Sequence, residues 1–367
     1  MSQTIIIGSV QPYSGKSATI LGLAKLLRQH RLEIMCGKPI GSCTPGHCPT
    51  SGPDEDLIFM ANALGLPLDR LPPMIARMDP DSILDHMHNL ATRSPTDILA
   101  PLRAYCQSFS GDLLLLEGPA DLQEGILFQL SLAEMARDLD AKVLLISRVS
   151  GPAVVNGLLA AQQQLGSRLL GVLFNDVAED NTTLLQEHII PFLEGQGIPV
   201  FGVLPSDRIL RSISVAELVN QLQAQVLCCR EHTEDILIET FVIGAMSVNS
   251  ALKYFRRSEH KAVITGGDRT DIQLAALETG SACLILTGQH TVDPRIQQRA
   301  EELEIPILLV ELDTFTTSER IERVFGQVRL QERIKVGCIE SLMSANFDFS
   351  RFCQHLHLTP PLASSRT

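Results

Sequence analysis

The sequence predicts an α/β protein: a mostly parallel sheet with helices on both faces, followed by a second, smaller α/β unit. Three observations carry that expectation. Short apolar runs recur with amphipathic stretches between them, the strand, helix, strand alternation from which parallel sheets are built. The runs are nearly continuous in apolar residues, as strands covered on both faces are. A length of 367 residues suits two domains.

The first strand and helix enclose the stretch that organises the chain. Thr4-Ile5-Ile6-Ile7 is a β-branched run short enough to be a buried strand. A helix predicted from about Lys16 carries Ile20, Leu23, Ala24 and Leu27 at helical spacing. Between them lies Gly8-Ser9-Val10-Gln11-Pro12-Tyr13-Ser14-Gly15-Lys16-Ser17, which reads as a phosphate cradle. Gly15 lets the backbone approach an anion, the free N–H groups of the helix start point at it, and Lys16 adds positive charge. Gly8 and Ser14 belong to the same cradle, and the Ser17 hydroxyl stands where Mg²⁺ held by the phosphates would bind. The spacing is unusual, because Val10 stands where the upstream glycine is wanted and the nearest one is Gly8. The bland alternative is a chance Gly-Lys-Ser at a helix start; the flanking strand and helix favour the cradle.

A second strand, Glu33 to Gly37, delivers Lys38 to its carboxyl end, the edge at which open parallel sheets take their ligands. Lys38 is a candidate second anion contact, or an ordinary exposed lysine. A loop from Gly41 to Pro53 then leads to Asp54-Glu55-Asp56. Asp54 and Asp56 are candidate Mg²⁺ ligands, although Asp54 equally suits a helix cap. Cys43, His47 and Cys48 in that loop lack the second spaced pair a structural zinc site needs, and Cys228-Cys229 fails in the same way. The third strand, Asp112 to Gly118, runs four leucines into Glu117. An unpaired glutamate ending a buried strand is costly, so Glu117 is expected to meet a metal or phosphate region. Strands at Lys142 to Ser147, Leu169 to Phe174 with Asn175-Asp176 at its end, and Val200 to Val203 continue the alternation.

Beyond about Asp207 a helical pattern runs to Cys229, followed by a charged stretch and a strand at Phe241 to Ser247. The strand at Ala262 to Thr265 meets Gly266-Gly267-Asp268-Arg269-Thr270, which opens a helix to Gly280. That opening presents N–H groups to an anion, and Arg269 is placed to fork onto a phosphate or a neighbouring subunit's carboxylate. Gly266-Gly267 is either part of this second cradle or a tight turn. Strands at Cys283 to Leu286 and Ile307 to Val310 complete the unit.

A net charge of -12 without a Lys/Arg block disfavours sequence-independent nucleic-acid binding. The absence of Trp and only 3 Tyr disfavour stacking platforms for single strands. No run approaches the ~20 apolar residues of a membrane span, and the first residues do not read as a secretory signal. With 9 scattered cysteines, a cytoplasmic protein is expected.

Taken in order, Gly15-Lys16-Ser17, Lys38-Pro39, the Asp54/Asp56 turn, Glu117-Gly118, Gly171 to Asn175 and Gly202-Val203-Leu204-Pro205 resemble dethiobiotin synthetase. The resemblance implies an ATP-binding fold of the signal-recognition and nitrogenase-iron-protein kind. In it Lys16 and Ser17 serve the phosphates and Mg²⁺, Asp56 and Glu117 the metal, Lys38 the substrate side and Asn175 the adenine. Pro119-Ala120 departs from that family where its substrate is approached, and Gln11-Pro12 stands where partitioning ATPases of this class carry a further lysine. Phe241 to about Phe325 resembles the DRTGG domain, which follows a dethiobiotin-synthetase-like domain at the front of many bacterial phosphate acetyltransferases. The implied layout is a nucleotide-binding domain over 1–206, a DRTGG domain over 207–335 and a tail over 336–367. Because the acetyl-transferring domain would come next and the sequence stops at Thr367, the expectation is a regulatory half without acetyl transfer. It would bind ATP and Mg²⁺, hydrolyse ATP slowly at most, and pass nucleotide state to a homo-oligomer or protein partner through the DRTGG domain. The alternatives are an ATP-dependent synthetase of the dethiobiotin or cobyrinic acid type, and a scaffold with degenerate nucleotide sites.

Overall fold

The computed structural model describes residues 2–41, 54–90, 97–288, 292–326 and 332–358. The chain divides into two units, one formed by residues 1–206 with 333–367, the other by 207–332.

The first unit is built on β1 (Gln3–Ser9), α1 (Lys16–Gln29), β2 (Ile34–Gly37), α2 (Glu55–Leu64), β3 (Leu113–Glu117), α3 (Leu132–Asp138), β4 (Lys142–Ser147), α4 (Val154–Leu165), β5 (Leu169–Val177) and β6 (Val200–Pro205). The strands form one 6-stranded sheet in the order β2-β3-β1-β4-β5-β6, and every neighbouring pair is parallel. Ile5, Ile6 and Ile7 are fully buried, as are Leu113, Leu115 and Leu116. Each such side chain contributes roughly 1.5–3 kcal/mol on burial, which makes the strands entering the loop the stiff part of the site. Register sets Ile7 opposite Glu117 and Ser9 opposite Ile146. The chain passes from β1 to β2 on one side while β4 lies on the other, so the carboxyl end of β1 is a topological switch point with a crevice outside it. α1 starts there and buries Ile20, Leu23, Ala24 and Leu27.

The second unit has α5 (Val215–Leu222), β7 (Gln225–Cys228), β8 (Thr240–Ile243), α6 (Val248–Phe255), β9 (Lys261–Gly266), α7 (Thr270–Leu277), β10 (Ser281–Thr287), α8 (Pro294–Glu302), β11 (Ile307–Val310) and α9 (Thr314–Gly326). Its 5-stranded sheet runs β7-β11-β10-β9-β8, parallel except for the antiparallel edge strand β7. The helical pattern expected from Asp207 to Cys229 is interrupted. Gln223 takes a left-handed conformation at the end of α5, and Gln225 to Cys228 turn back as the edge strand, with Cys228 buried.

The stretch expected as a tail from residue 336 is instead largely helical. α10 (Arg333–Asn346) and α11 (Phe349–His355) belong to the first unit. Ile339, Met343, Phe347 and Phe352 are buried, and Phe347 and Phe352 gather around Phe201 of β6. Ser and Pro crowd only residues 359–367, which lie outside the described residues, as does the loop of 42–53 carrying Cys43, His47 and Cys48.

Candidate functional site

The loop of residues 10–15 closes through a left-handed turn. Gly15 has φ +92° and caps α1, a conformation open to glycine at little cost. A Cβ at this position would lie 2.1 Å from Asn175 Nδ2. That amide nitrogen donates to the Ser14 carbonyl at 2.9 Å, so the end of β5 props the loop from below. Among the described residues the buried Ser14 hydroxyl has no hydrogen-bond partner, the kind of orphaned group that a bound ligand or water satisfies.

Lys16 is the first residue of α1, and its first turn carries no acid. A cation at the positive end of a helix is unfavourable by itself and becomes favourable when an anion sits between them. Its ammonium, nearly buried, donates to Ser9 Oγ at 3.3 Å, and Ser9 Oγ donates to the Ala120 carbonyl at 2.7 Å. The Ala120 N–H in turn donates to Glu124. Burial pushes the Lys16 ammonium below its ordinary value of 10.5, outweighing the opposing charges of Glu117 and Glu124. Ser17 Oγ donates to Glu117 Oε2 at 2.9 Å. These two oxygens are hard donors of the type Mg²⁺ takes together with phosphate and water.

Lys38 lies at the same edge, 4% exposed, with Nζ 3.0 Å from Asp54 Oδ1 and 3.1 Å from Asp56 Oδ2. Burial alone would lower its pKa, yet Glu117, Asp56 and Asp54 together raise it above the ordinary lysine value. Lys38 is therefore a buried, charged lysine rather than an exposed one. Asp54 also caps α2 by accepting from the Asp56 N–H. Asp54 Oδ1 thus serves both the cap and the ion pair, and Asp56 Oδ2 shares the lysine. Among the described residues no group of three or more His, Cys, Asp or Glu converges as a metal cage. A phosphate-bound Mg²⁺ needs only one or two protein carboxylates.

Three of the expected residues also have local partners within the chain. Gly8 lies within β1, where a Cβ would meet Leu132 Cδ2 at 2.5 Å, so its smallness serves packing against α3. Asn175, expected at the adenine, spends its amide nitrogen on the Ser14 carbonyl. In the second unit the carbonyls of the Gly266-Gly267 turn are held by the chain itself. Gln273 Nε2 donates to the Gly266 and Gly267 carbonyls, each at 3.0 Å, and the Gly267 N–H donates to the Thr287 carbonyl. Arg269 chelates its own Asp271 at 3.0 and 3.1 Å and reaches the Met246 carbonyl at 3.1 Å. Gly266, Gly267 and Arg269 thus act as a braced turn ahead of α7; Asp268 and Thr270 share it. Sequence reasoning missed Ser9 and Glu124. Ser9 carried the signal that marked Glu117, a polar residue ending an apolar strand.

A phosphate-type loop at the switch point of a parallel sheet, with a buried lysine and a hydroxyl–carboxylate pair, defines a P-loop nucleotide-binding domain. The chain belongs to the AAA domain family, which it matches over residues 3–214, and it matches the DRTGG domain over residues 217–324. It is similar to the phosphate acetyltransferase of Synechocystis sp., 24% identical over 383 residues that cover 97% of this chain and 52% of that protein. The chain therefore spans about half the length of that relative, and the resemblance read from the sequence to the P-loop and DRTGG parts of such enzymes stands. Uncharacterized protein YtoI of Bacillus subtilis is 35% identical over 128 residues, 35% of this chain and 28% of that one. Among solved structures, the CBS and DRTGG domains of the Clostridium perfringens pyrophosphatase regulatory region, complexed with diadenosine tetraphosphate, match at 21% identity and a TM-score of 0.29. That match covers 40% of this chain and 70% of that one, and at such a score it carries no argument. No helix among the described residues is long and apolar enough to cross a membrane.

Proposed function

We propose that the chain is a cytoplasmic regulatory module that binds ATP with Mg²⁺ at the loop of residues 10–17 and hydrolyses it slowly at most. Nucleotide state passes through the DRTGG domain to a homo-oligomer or a protein partner. The observation that carries the reading is the junction of β1 and α1: a buried Lys16 at a helix N-terminus whose first turn lacks any acid, beside the Ser17–Glu117 pair. Lys16 and the loop N–H groups would hold the phosphates, and Ser17 and Glu117 the Mg²⁺. The metal supplies charge neutralisation of the phosphates when bound. Ser14, with its orphaned hydroxyl, and Gly15, with no room for a side chain, fit a loop made to wrap an anion.

The engagement of Lys38 favours regulation over a synthetase. By the resemblance, Lys38 would serve the substrate side in an enzyme of the dethiobiotin type, and here Asp54 and Asp56 both engage it. The test is ATP turnover by the purified full chain, with sedimentation of the same sample in the presence and absence of ATP-Mg²⁺. Slow turnover with a nucleotide-dependent change in sedimentation is expected. Turnover that a small carboxylate or amine acceptor raises by orders of magnitude would overturn the regulatory reading.

A further inference from the structure

The chain leaves the first unit at Ser206 and re-enters it at Arg333, with the whole second unit between. Both junctions end on elements that shape the phosphate loop. At the first, Ser206 Oγ donates to Asp176 Oδ1 at 2.8 Å and the Ser206 N–H donates to the Val177 carbonyl at 2.9 Å. Asp176 directly follows Asn175, whose amide holds the Ser14 carbonyl of the loop. One hydrogen bond and one peptide step therefore separate the exit point from the prop beneath the loop.

At the second junction, α10 lies along α1, the helix that begins with Lys16. The two approach so closely at Gly22 that a Cβ there would lie 2.5 Å from Met343 Cγ and 3.0 Å from Ile339 Cγ1. Glu340 spans the seam: one carboxylate oxygen is 2.6 Å from Lys25 Nζ, and the other accepts from Gln29 Nε2 at 2.9 Å. The continuation is anchored as well. His30, just past α1, stacks on Phe349 at 4.0 Å, and Arg351 forks onto Glu194 with both bonds at 2.7 Å. Any displacement of α1 along or about its axis must move α10 with it or break this seam, because packed interfaces shift between discrete arrangements rather than stretch.

We propose that nucleotide occupancy of the loop is transmitted to the second unit through these two junctions, Ser206 on Asp176 and Glu340 on Lys25 and Gln29. The inference rests on the nucleotide reading above and deepens it, naming the residues that couple the site to the rest of the chain. Linkage makes the coupling reciprocal: whatever shifts the second unit alters nucleotide affinity by the same factor.

The experiment is amide hydrogen exchange on the full chain with and without ATP-Mg²⁺, comparing wild type with the double variant Ser206→Ala, Glu340→Ala. In wild type, ATP-Mg²⁺ slows exchange in the loop and α1, and changes it roughly fivefold or more in residues 208–222 of the second unit. In the double variant the loop stays protected and the response of 208–222 falls below about twofold, short of the usual range for a coupled site. Thermal unfolding of the variant, and the milder Glu340→Gln in its place, separate lost coupling from lost folding. A protected loop with an unresponsive second unit in wild type would overturn the coupling and leave nucleotide binding standing. A response in 208–222 that survives both substitutions would also overturn it. A loop that ATP-Mg²⁺ does not protect would overturn nucleotide binding and the coupling together.

Discussion

Gly15→Ala is the most searching perturbation of the loop, because two independent costs meet at one atom. The new Cβ would lie 2.1 Å from Asn175 Nδ2, and the backbone would have to keep φ near +92°. Holding alanine in the left-handed region costs about 1–2 kcal/mol. Driving Asn175 away breaks its bond to the Ser14 carbonyl and leaves a buried amide poorly satisfied, roughly 1–3 kcal/mol more. A destabilisation of about 3 kcal/mol corresponds to a fall in Tm of roughly 6–12 °C for a domain of this size. Thermal unfolding measures that fall, and titration with a fluorescent ATP analogue measures the loop, whose affinity should drop by about tenfold or more, the equivalent of one lost charge-assisted hydrogen bond. Adding Asn175→Ala removes the clash and keeps the backbone strain, so the pair should be non-additive by about 1 kcal/mol or more. If Gly15→Ala unfolds at the wild-type temperature and binds nucleotide as wild type does, the loop is not shaped as described and the reasoning fails.

Three further outcomes follow from the same geometry. Burial holds Lys16 below 10.5 in the free protein, and arriving phosphates favour its charged form. ATP binding should therefore take up a proton in the alkaline range and weaken as pH rises through the free-protein value, which calorimetry in buffers of different ionisation enthalpy reads directly. Because folding lowers this pKa, the unfolded chain binds more proton between the two values, and stability rises with pH across that window. Lys38→Met strands Asp54 and Asp56 beside Glu117 and should cost about 3–5 kcal/mol. Denaturant melts of the two proteins read that loss, and equal stability would contradict the buried ion pair. Arg269→Ala should leave ATP affinity within about twofold of wild type, since Arg269 is engaged with Asp271 and Met246 in the second unit; a larger loss of affinity would contradict its role as a turn brace.

What the sequence made legible was local. A β-branched run, a glycine-lysine-serine and a helical apolar face are contiguous, and their physics needs no distant partner, so β1, the loop and α1 could be placed from them. Glu117 was legible because a carboxylate ending a leucine run must meet something polar. The rest depends on residues far apart in sequence. Nothing near Gly8 announces Leu132, and nothing near Asn175 announces the Ser14 carbonyl 161 positions away. Lys38 could be read as an anion contact or as an exposed lysine, because its partners Asp54 and Asp56 lie 16 and 18 positions away in sequence. The stretch from 336 read as a tail because α11 is only 7 residues long and the last residues are Ser- and Pro-rich. Its apolar face makes sense only against α1 and β6. At the Gly266-Gly267 turn the local pattern gave no sign of Gln273, which braces both carbonyls from within α7.

The central claim is that the backbone around Lys16 holds a nucleotide's phosphates, and calorimetric titration of ATP-Mg²⁺ into wild type and Lys16→Ala tests it most directly. Saturable binding with one nucleotide per chain is predicted for wild type, weakened by about tenfold or more in the variant, as loss of a charge-assisted contact requires. Equal binding by both proteins, or none by wild type, would contradict it.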